Sequence, residues 1–131
     1  MSDLENDDIV RKGLSAGLPS YIMQEEFNRY TGFWWCPVLD QYDPNYTYIL
    51  YEQTDESEVK KIQITSHEGF TEEHRFPKPG EVNAKAILKL IKIGTNYKIR
   101  NEIFDLKFDL HEYFPWYEYL VRTGWTPDGK K

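Results

Sequence analysis

A single cysteine, Cys36, stands in 131 residues, so no internal disulfide can close and no thiolate cluster can hold a metal. It reads as a reduced, buried thiol. Basic residues are short: 16 Lys and Arg against 22 Asp and Glu give a net charge of -6 and a pI near 5.1. A nucleic-acid surface needs a basic stripe to displace counterions from phosphates, so nucleic acid is not an expected partner. An acidic balance serves solubility, or a site that attracts cations. No apolar run approaches the roughly 20 residues of a membrane-spanning helix. The opening MSDLENDDIVRKG is acidic and has no apolar centre. Neither a secretory signal nor a membrane segment is therefore expected, and a cytoplasmic location follows.

Catalytic patterns are missing as well. There is no G-x-S-x-G nucleophile elbow and no glycine-rich phosphate loop. His67, His74 and His111 are not at metal-ligand spacings and read as loop or surface residues. Nothing singles out a carboxylate pair for glycoside hydrolysis, which would have to come from separate elements. Catalytic residues, metal ligands and cofactors are accordingly all expected to be none within this chain.

Aromatic residues are abundant, with ten Tyr, seven Phe and four Trp, 16% in all. That composition favours strands, and 40% hydrophobic residues suffice for a core. Residues 1–13 read as a polar, flexible lead-in and residues 14–131 as the folded part. Ser20 is a suitable N-cap for a helix near residues 20–30, with Met23, Phe27 and Tyr30 as its buried stripe and Gly32 as its C-terminal glycine. Short strands follow. Phe33 to Cys36 is stopped by Pro37, and Tyr46 to Gln53 follows the turn-rich DQYDPN segment. Thr54 to Ser57 reads as a tight turn, which makes Val59 to Thr65 the hairpin partner of Tyr46 to Gln53. Ser66 to Asn83 reads as a long loop. Ala86 to Ile93 is read as a strand, with Gly94-Thr95-Asn96 turning it into a second hairpin through Tyr97 to Ile99. Phe104, Leu106, Phe108 and Leu110 alternate, and Tyr117 to Thr123 is a further strand. Pro127-Asp128-Gly129 is a hairpin turn with no second strand after it, which predicts that the natural protein continues past Lys131. The fold class expected is mainly β: antiparallel meander sheets with one short helix, a fragment of a β-propeller. A blade takes roughly 40–50 residues, so the fragment would cover about one to two blades.

The densest stretch is YIMQEEFNRYTGFWWCP, Tyr21 to Pro37. It sets two adjacent carboxylates, Glu25 and Glu26, on the expected helix. Adjacent glutamates are common on solvated helix faces, and Glu25 stands four residues before Arg29, an i,i+4 pair worth about 0.3–0.5 kcal/mol. The other reading is a cation site. Neighbouring helix positions lie about 100° apart, so two carboxylates can approach one primary ammonium and satisfy most of its three donors. The ligand would be a lysine or a free peptide N-terminus, and the nearby Trp and Phe rings could wall it.

Further residues bear on that choice. Gln24-Glu25-Glu26-Phe27, Arg29-Tyr30, Gly32 and Trp34-Trp35-Cys36-Pro37 resemble the double-glutamate helix of the dipeptidyl peptidase IV family, most of all its cytosolic branch. Ile49-Leu50-Tyr51-Glu52 with Asp55-Glu56-Ser57-Glu58-Val59 resembles the next strand pair of that branch. Phe76-Pro77-Lys78, Gly80 and Asn83 resemble the family's proline-glycine-asparagine loop. Tyr117, Tyr119 and Gly124-Trp125-Thr126 with Asp128-Gly129-Lys130 resemble the opening of the following blade. The series runs in order from Ser15 to the end and favours the amine site over the solvated face.

The resemblance implies an eight-bladed N-terminal β-propeller and a C-terminal α/β-hydrolase domain carrying Ser, Asp and His. It implies removal of N-terminal dipeptides with proline or alanine second, the substrate's free α-amine being held by Glu25 and Glu26. The partners implied are peptides with a free N-terminus, the hydrolase domain of the full protein, and a second copy in a homodimer. The chain alone would hydrolyse nothing. Departures are Ala84, where the family usually has proline, and loose matches over Asp40–Tyr46 and Tyr97–Phe114. The propeller arginine that contacts substrate in relatives has no identifiable counterpart here. Two other readings stand beside this one: a non-catalytic propeller relative acting as a protein-interaction module, and a small β domain with a solvated Glu-Glu face. A propeller cut to a fragment leaves apolar sheet and strand edges uncovered, so self-association is expected.

Overall fold

A computed structural model describes residues 12–96, 101–106 and 110–131. In chain order the elements are β1 (Leu14–Ala16), α1 (Tyr21–Phe27), β2 (Phe33–Trp35), β3 (Tyr46–Asp55), β4 (Lys61–Thr65), β5 (Thr71–Arg75), β6 (Lys85–Gly94), β7 (Glu102–Asp105) and α2 (Leu110–Tyr113). Every strand pairing is antiparallel. The main sheet has five strands in the order β1-β3-β6-β7, with β2 also on β3. The hairpin β4–β5 is separate from it. The lead-in over residues 1–11, the second hairpin strand at Tyr97 to Ile99, and Phe108 lie outside the described residues.

The sheet is organised by β3 and β6, which pair over ten residues from Tyr46↔Gly94 to Asp55↔Lys85. β3 is rich in aromatic and β-branched residues and β6 in isoleucine and leucine, which suit a half-buried pleated surface. Side chains alternate between faces. Leu50, Glu52 and Thr54 are buried on one face, opposite Leu90, Leu88 and Ala86. On the other face Phe33, Ile49, Tyr51, Ile91, Ile93 and Ile103 line an open apolar hollow. Phe33 and Ile103 are 45% and 55% exposed there.

Two short strands share one edge of β3. β1 pairs with Gln53 to Asp55, and β2 pairs with Ile49 to Tyr51. They meet at Glu52, whose amide donates to Gly32 O and whose carbonyl accepts from Gly17 N, each at 2.8 Å. A Cβ at Gly32 would lie 2.6 Å from the backbone carbon of Gly17. Only glycine lets the two segments approach so closely.

Several expectations are corrected. The hairpin of β3 is not with Val59 to Thr65. The full-length ladder with β6 wins, because it joins two long strands that share an apolar face. β4 pairs instead with β5, with Thr65↔Thr71 next to the turn. β5 lies inside the expected loop over Ser66 to Asn83; its sequence TEEHR has little strand signal, and much of the hairpin is exposed. Thr54 and Asp55 belong to β3, so the turn after it is Glu56 to Val59, closed by Val59 N donating to Glu56 O at 3.0 Å. On its other edge β6 pairs with β7, Glu102–Asp105. Tyr117 to Thr123 joins no ladder among the described residues. Its tyrosines bond across instead, Tyr117 to Ala86 O and Tyr119 to Asn83 Oδ1. The Pro127-Asp128-Gly129 turn is present, with Gly129 N donating to Thr126 O at 2.8 Å. Cys36 is half-buried rather than buried. No helix among the described residues is long and apolar enough to cross a membrane.

Candidate functional site

The helix carrying Glu25 and Glu26 is shorter than residues 20–30. It spans Tyr21–Phe27, and Asn28 ends it in the left-handed conformation, φ 56° and ψ 33°. Arg29 N then donates back to Met23 O, six positions earlier, at 3.1 Å, which closes the helix end over the left-handed residue. Asparagine takes this conformation more readily than most residues, so the helix stops before Gly32 is reached. The N-terminal end is held by Ser20 O, which accepts from Met23 N and Gln24 N; the Ser20 side chain makes no cap bond. The Glu56 carboxyl takes the Tyr21 amide.

Ile22 and Met23 form the buried side of α1, at 7% and 4% exposed. The expected stripe of Met23, Phe27 and Tyr30 fails at its end, because Tyr30 lies past the helix and is 67% exposed. Tyr21 stacks on His74 of β5 at 4.0 Å and meets the edge of Phe76. Phe27 meets Tyr119 at 5.1 Å.

Glu25 and Glu26 are both exposed on this short, tightly bounded helix. Neither has a side-chain hydrogen bond or ion pair among the described residues. Their charges are felt on opposite flanks. Burial, then Glu25 and Glu72, raise the Tyr21 phenol above its usual range. Burial, then Glu118 and to a lesser degree Glu26, do so for Tyr119. Two unpaired carboxylates side by side repel, and an ammonium between them would relieve that repulsion. The rings beside the pair are Tyr21 and His74 on one flank and Phe27 and Tyr119 on the other. Of the expected walls only Phe27 flanks the pair: Trp34 is under Arg29, and Phe33 and Trp35 are exposed on β2.

The i,i+4 pair between Glu25 and Arg29 does not form, because the left-handed turn at Asn28 carries Arg29 off the helix. Its Nη1 donates to Glu52 Oε2 at 2.5 Å and to Thr31 O at 3.0 Å. Its Nη2 donates to Leu120 O at 3.2 Å, and its Cζ lies 5.9 Å from the centre of the Trp34 ring. The pair is withdrawn from water, with side chains 10% and 1% exposed. Sequence reasoning gave Arg29 to Glu25 as an i,i+4 partner and assigned Glu52 none. The available signal was Glu52 itself, a lone charge in the centre of the apolar run YTYILYEQ, which requires a partner if buried. A hollow of about 290 Å³ adjoins this exit, lined by Phe27, Asn28, Arg29, Trp34 and residues 121–123.

No group of three or more potential metal ligands occurs among the described residues. What the surface offers is two carboxylates, unpaired among the described residues, on a pinned helix end, suited to a cation with several donors.

Comparison with known proteins follows the same line. The family model for the dipeptidyl peptidase IV (DPP IV) N-terminal region matches residues 3–131. Dipeptidyl peptidase 8 of Mus musculus is 37% identical over 126 residues, covering 88% of this chain and 14% of the relative. The Homo sapiens protein of the same name is 38% identical over 124 residues with the same coverage. The chain thus spans about one seventh of the length of these relatives. The crystal structure of Porphyromonas gingivalis dipeptidyl peptidase 4 superposes with a TM-score of 0.55 at 18% identity, over 90% of this chain and 15% of that one. The mainly antiparallel sheets are therefore a piece of a β-propeller, and the chain belongs to the dipeptidyl peptidase IV family, within its N-terminal region.

Proposed function

We propose that this chain is the substrate-recognition part of a serine-type dipeptidyl peptidase that removes N-terminal dipeptides with proline or alanine second. Glu25 and Glu26 bind the free α-amine of the substrate. The carrying observation is that the two carboxylates are exposed, and unpaired among the described residues, on a short helix whose ends are both held. Family membership supplies the reaction class, and the pair supplies a chemical reason for the position of cleavage. An anchored ammonium fixes the distance from the N-terminus to the bond that is cut. In this reading the serine, aspartate and histidine belong to a hydrolase domain outside the chain. The working protein is a cytoplasmic homodimer.

Kinetics on the full-length protein test the reading. Glu25→Ala and Glu26→Ala each remove a charged hydrogen bond of about 1.5–3 kcal/mol. The expected result is a fall of about 10- to 100-fold in kcat/KM for dipeptide amides, carried mainly by KM. Wild-type kinetics in both variants would refute it.

A further inference from the structure

The amine site sits on a helix of seven residues, Tyr21–Phe27. Two carboxylates on so short an element are aimed only as well as its ends are fixed. Arg29 is placed to fix the C-terminal end. It follows the left-handed residue Asn28, and its fork reaches three other segments: Glu52 in β3 at 2.5 Å, Thr31 before β2 at 3.0 Å, and Leu120 at 3.2 Å. Trp34 lies beneath it.

The arrangement is a poor source of stability. Two charges leave water, and the Arg29 Nε is buried with no acceptor among the described residues. An apolar pair of similar volume would fill the space at less cost. What the guanidinium adds is direction, because its planar fork accepts partners only at set angles. Glu52 is itself rigid, since its backbone joins Gly17 and Gly32 where β1 and β2 meet.

We propose that Arg29 and Glu52 are a positioning pair for the amine anchor. The pair sets the pitch at which α1 presents Glu25 and Glu26, and so governs the preference for a free over a blocked N-terminus. This rests on the reading of Glu25 and Glu26 as the amine site. Arg29 and Glu52 touch no substrate in this scheme; they act through the helix. An ammonium has three donors in fixed directions, so two carboxylates engage it together at only one mutual geometry. A misplacement of about 1 Å can cost on the order of 100-fold.

The test is steady-state kinetics on the full-length protein with an Xaa-Pro amide, together with inhibition by a dipeptide and by its N-acetyl form. The variants are Arg29→Met, Glu52→Gln and the double variant Arg29→Met/Glu52→Leu. Arg29→Met is expected to raise KM about tenfold or more, with kcat within about threefold. The preference for the free dipeptide falls by the same factor. Glu52→Gln keeps an acceptor oxygen without the charge and moves both readouts the same way by less. The double variant recovers the melting temperature but not KM, a result that a merely structural role would not produce.

A double variant with wild-type KM and wild-type preference overturns the proposal. So does an Arg29→Met protein that loses only stability. If Arg29→Met fails to fold, Glu52→Gln decides alone, and unchanged KM and preference in it overturn the proposal. Glu25→Ala and Glu26→Ala are run in parallel. If they have wild-type KM, the amine-site reading itself fails; if they raise KM while the Arg29 and Glu52 variants do not, only the positioning pair fails.

Discussion

Replacing Arg29 by methionine leaves the Glu52 carboxylate with its cation gone and almost no access to water. Its side chain is 1% exposed. Thr31 O and Leu120 O lose a charged donor at the same time. Breaking a buried pair by removing one partner costs about 3–5 kcal/mol. Against a total of about 5–15 kcal/mol for a domain, that is about a fifth or more of the stability. At this chain length each kcal/mol is worth about 3–5 °C, so a fall of roughly 10–20 °C in Tm is expected. Removing both charges, in Arg29→Met/Glu52→Leu, strands neither. The double variant should return to within about 1–2 kcal/mol of wild type, about 2–3 kcal/mol more stable than Arg29→Met alone. Urea unfolding followed by tryptophan fluorescence suits the measurement, because Trp34 lies 5.9 Å from the Arg29 Cζ and reports on the site. Protein concentration is held constant, because association of the open sheet face would shift the midpoint. Single variants that cost less than about 1 kcal/mol, or a double variant equal to the sum of the singles, would refute the reasoning.

Glu56 titrates in the direction opposite to a salt-bridged carboxylate. Burial pushes its carboxyl above the usual range, the Tyr21 amide and Arg75 pull it down, and the Glu52 charge adds to the rise. A raised folded-state value means that its contribution is complete below about pH 4.5, the ordinary value, and is lost as pH rises through the folded one. Glu56→Gln keeps an acceptor for Tyr21 and should therefore have the higher urea midpoint at pH 7 and converge with wild type near pH 4; identical midpoints at both would contradict this. Gly32→Ala places a Cβ 2.6 Å from the Gly17 backbone. It should cost about 1–3 kcal/mol by forcing β1 and β2 apart, and an unchanged urea midpoint would show that the junction yields freely.

The strands that carry the sheet were legible because their composition matches their environment. YTYILYEQ is aromatic and β-branched, AILKLIKI is rich in isoleucine and leucine, and they form the two long central strands. Their pairing was not legible from pattern. A nearest-neighbour hairpin with VKKIQIT satisfies every local rule, and only the matching ten-residue length of β6 decides against it. The β4–β5 hairpin was half hidden because TEEHR has no apolar face to display. Helix α1 was legible in place but not in extent. Asn28 in the left-handed region ended it four residues before the glycine that sequence pattern nominates. That early stop has the largest consequence for the site. It frees Glu25 from Arg29 and sends Arg29 to Glu52, so the carboxylates that pattern would neutralise within the helix stand unpaired among the described residues. Adjacent glutamates could be found by reading the chain; the pair behind them, Arg29 and Glu52, needed the fold.

The most direct measurement is calorimetric binding of an Xaa-Pro dipeptide and its N-acetyl counterpart to the full-length protein, as wild type and as Glu25→Gln/Glu26→Gln. Two charged hydrogen bonds of about 1.5–3 kcal/mol each are at stake. N-acetylation should therefore weaken binding to wild type by about 100-fold or more and leave binding to the double variant almost unchanged. An equal loss in both proteins would show that the amine is held elsewhere.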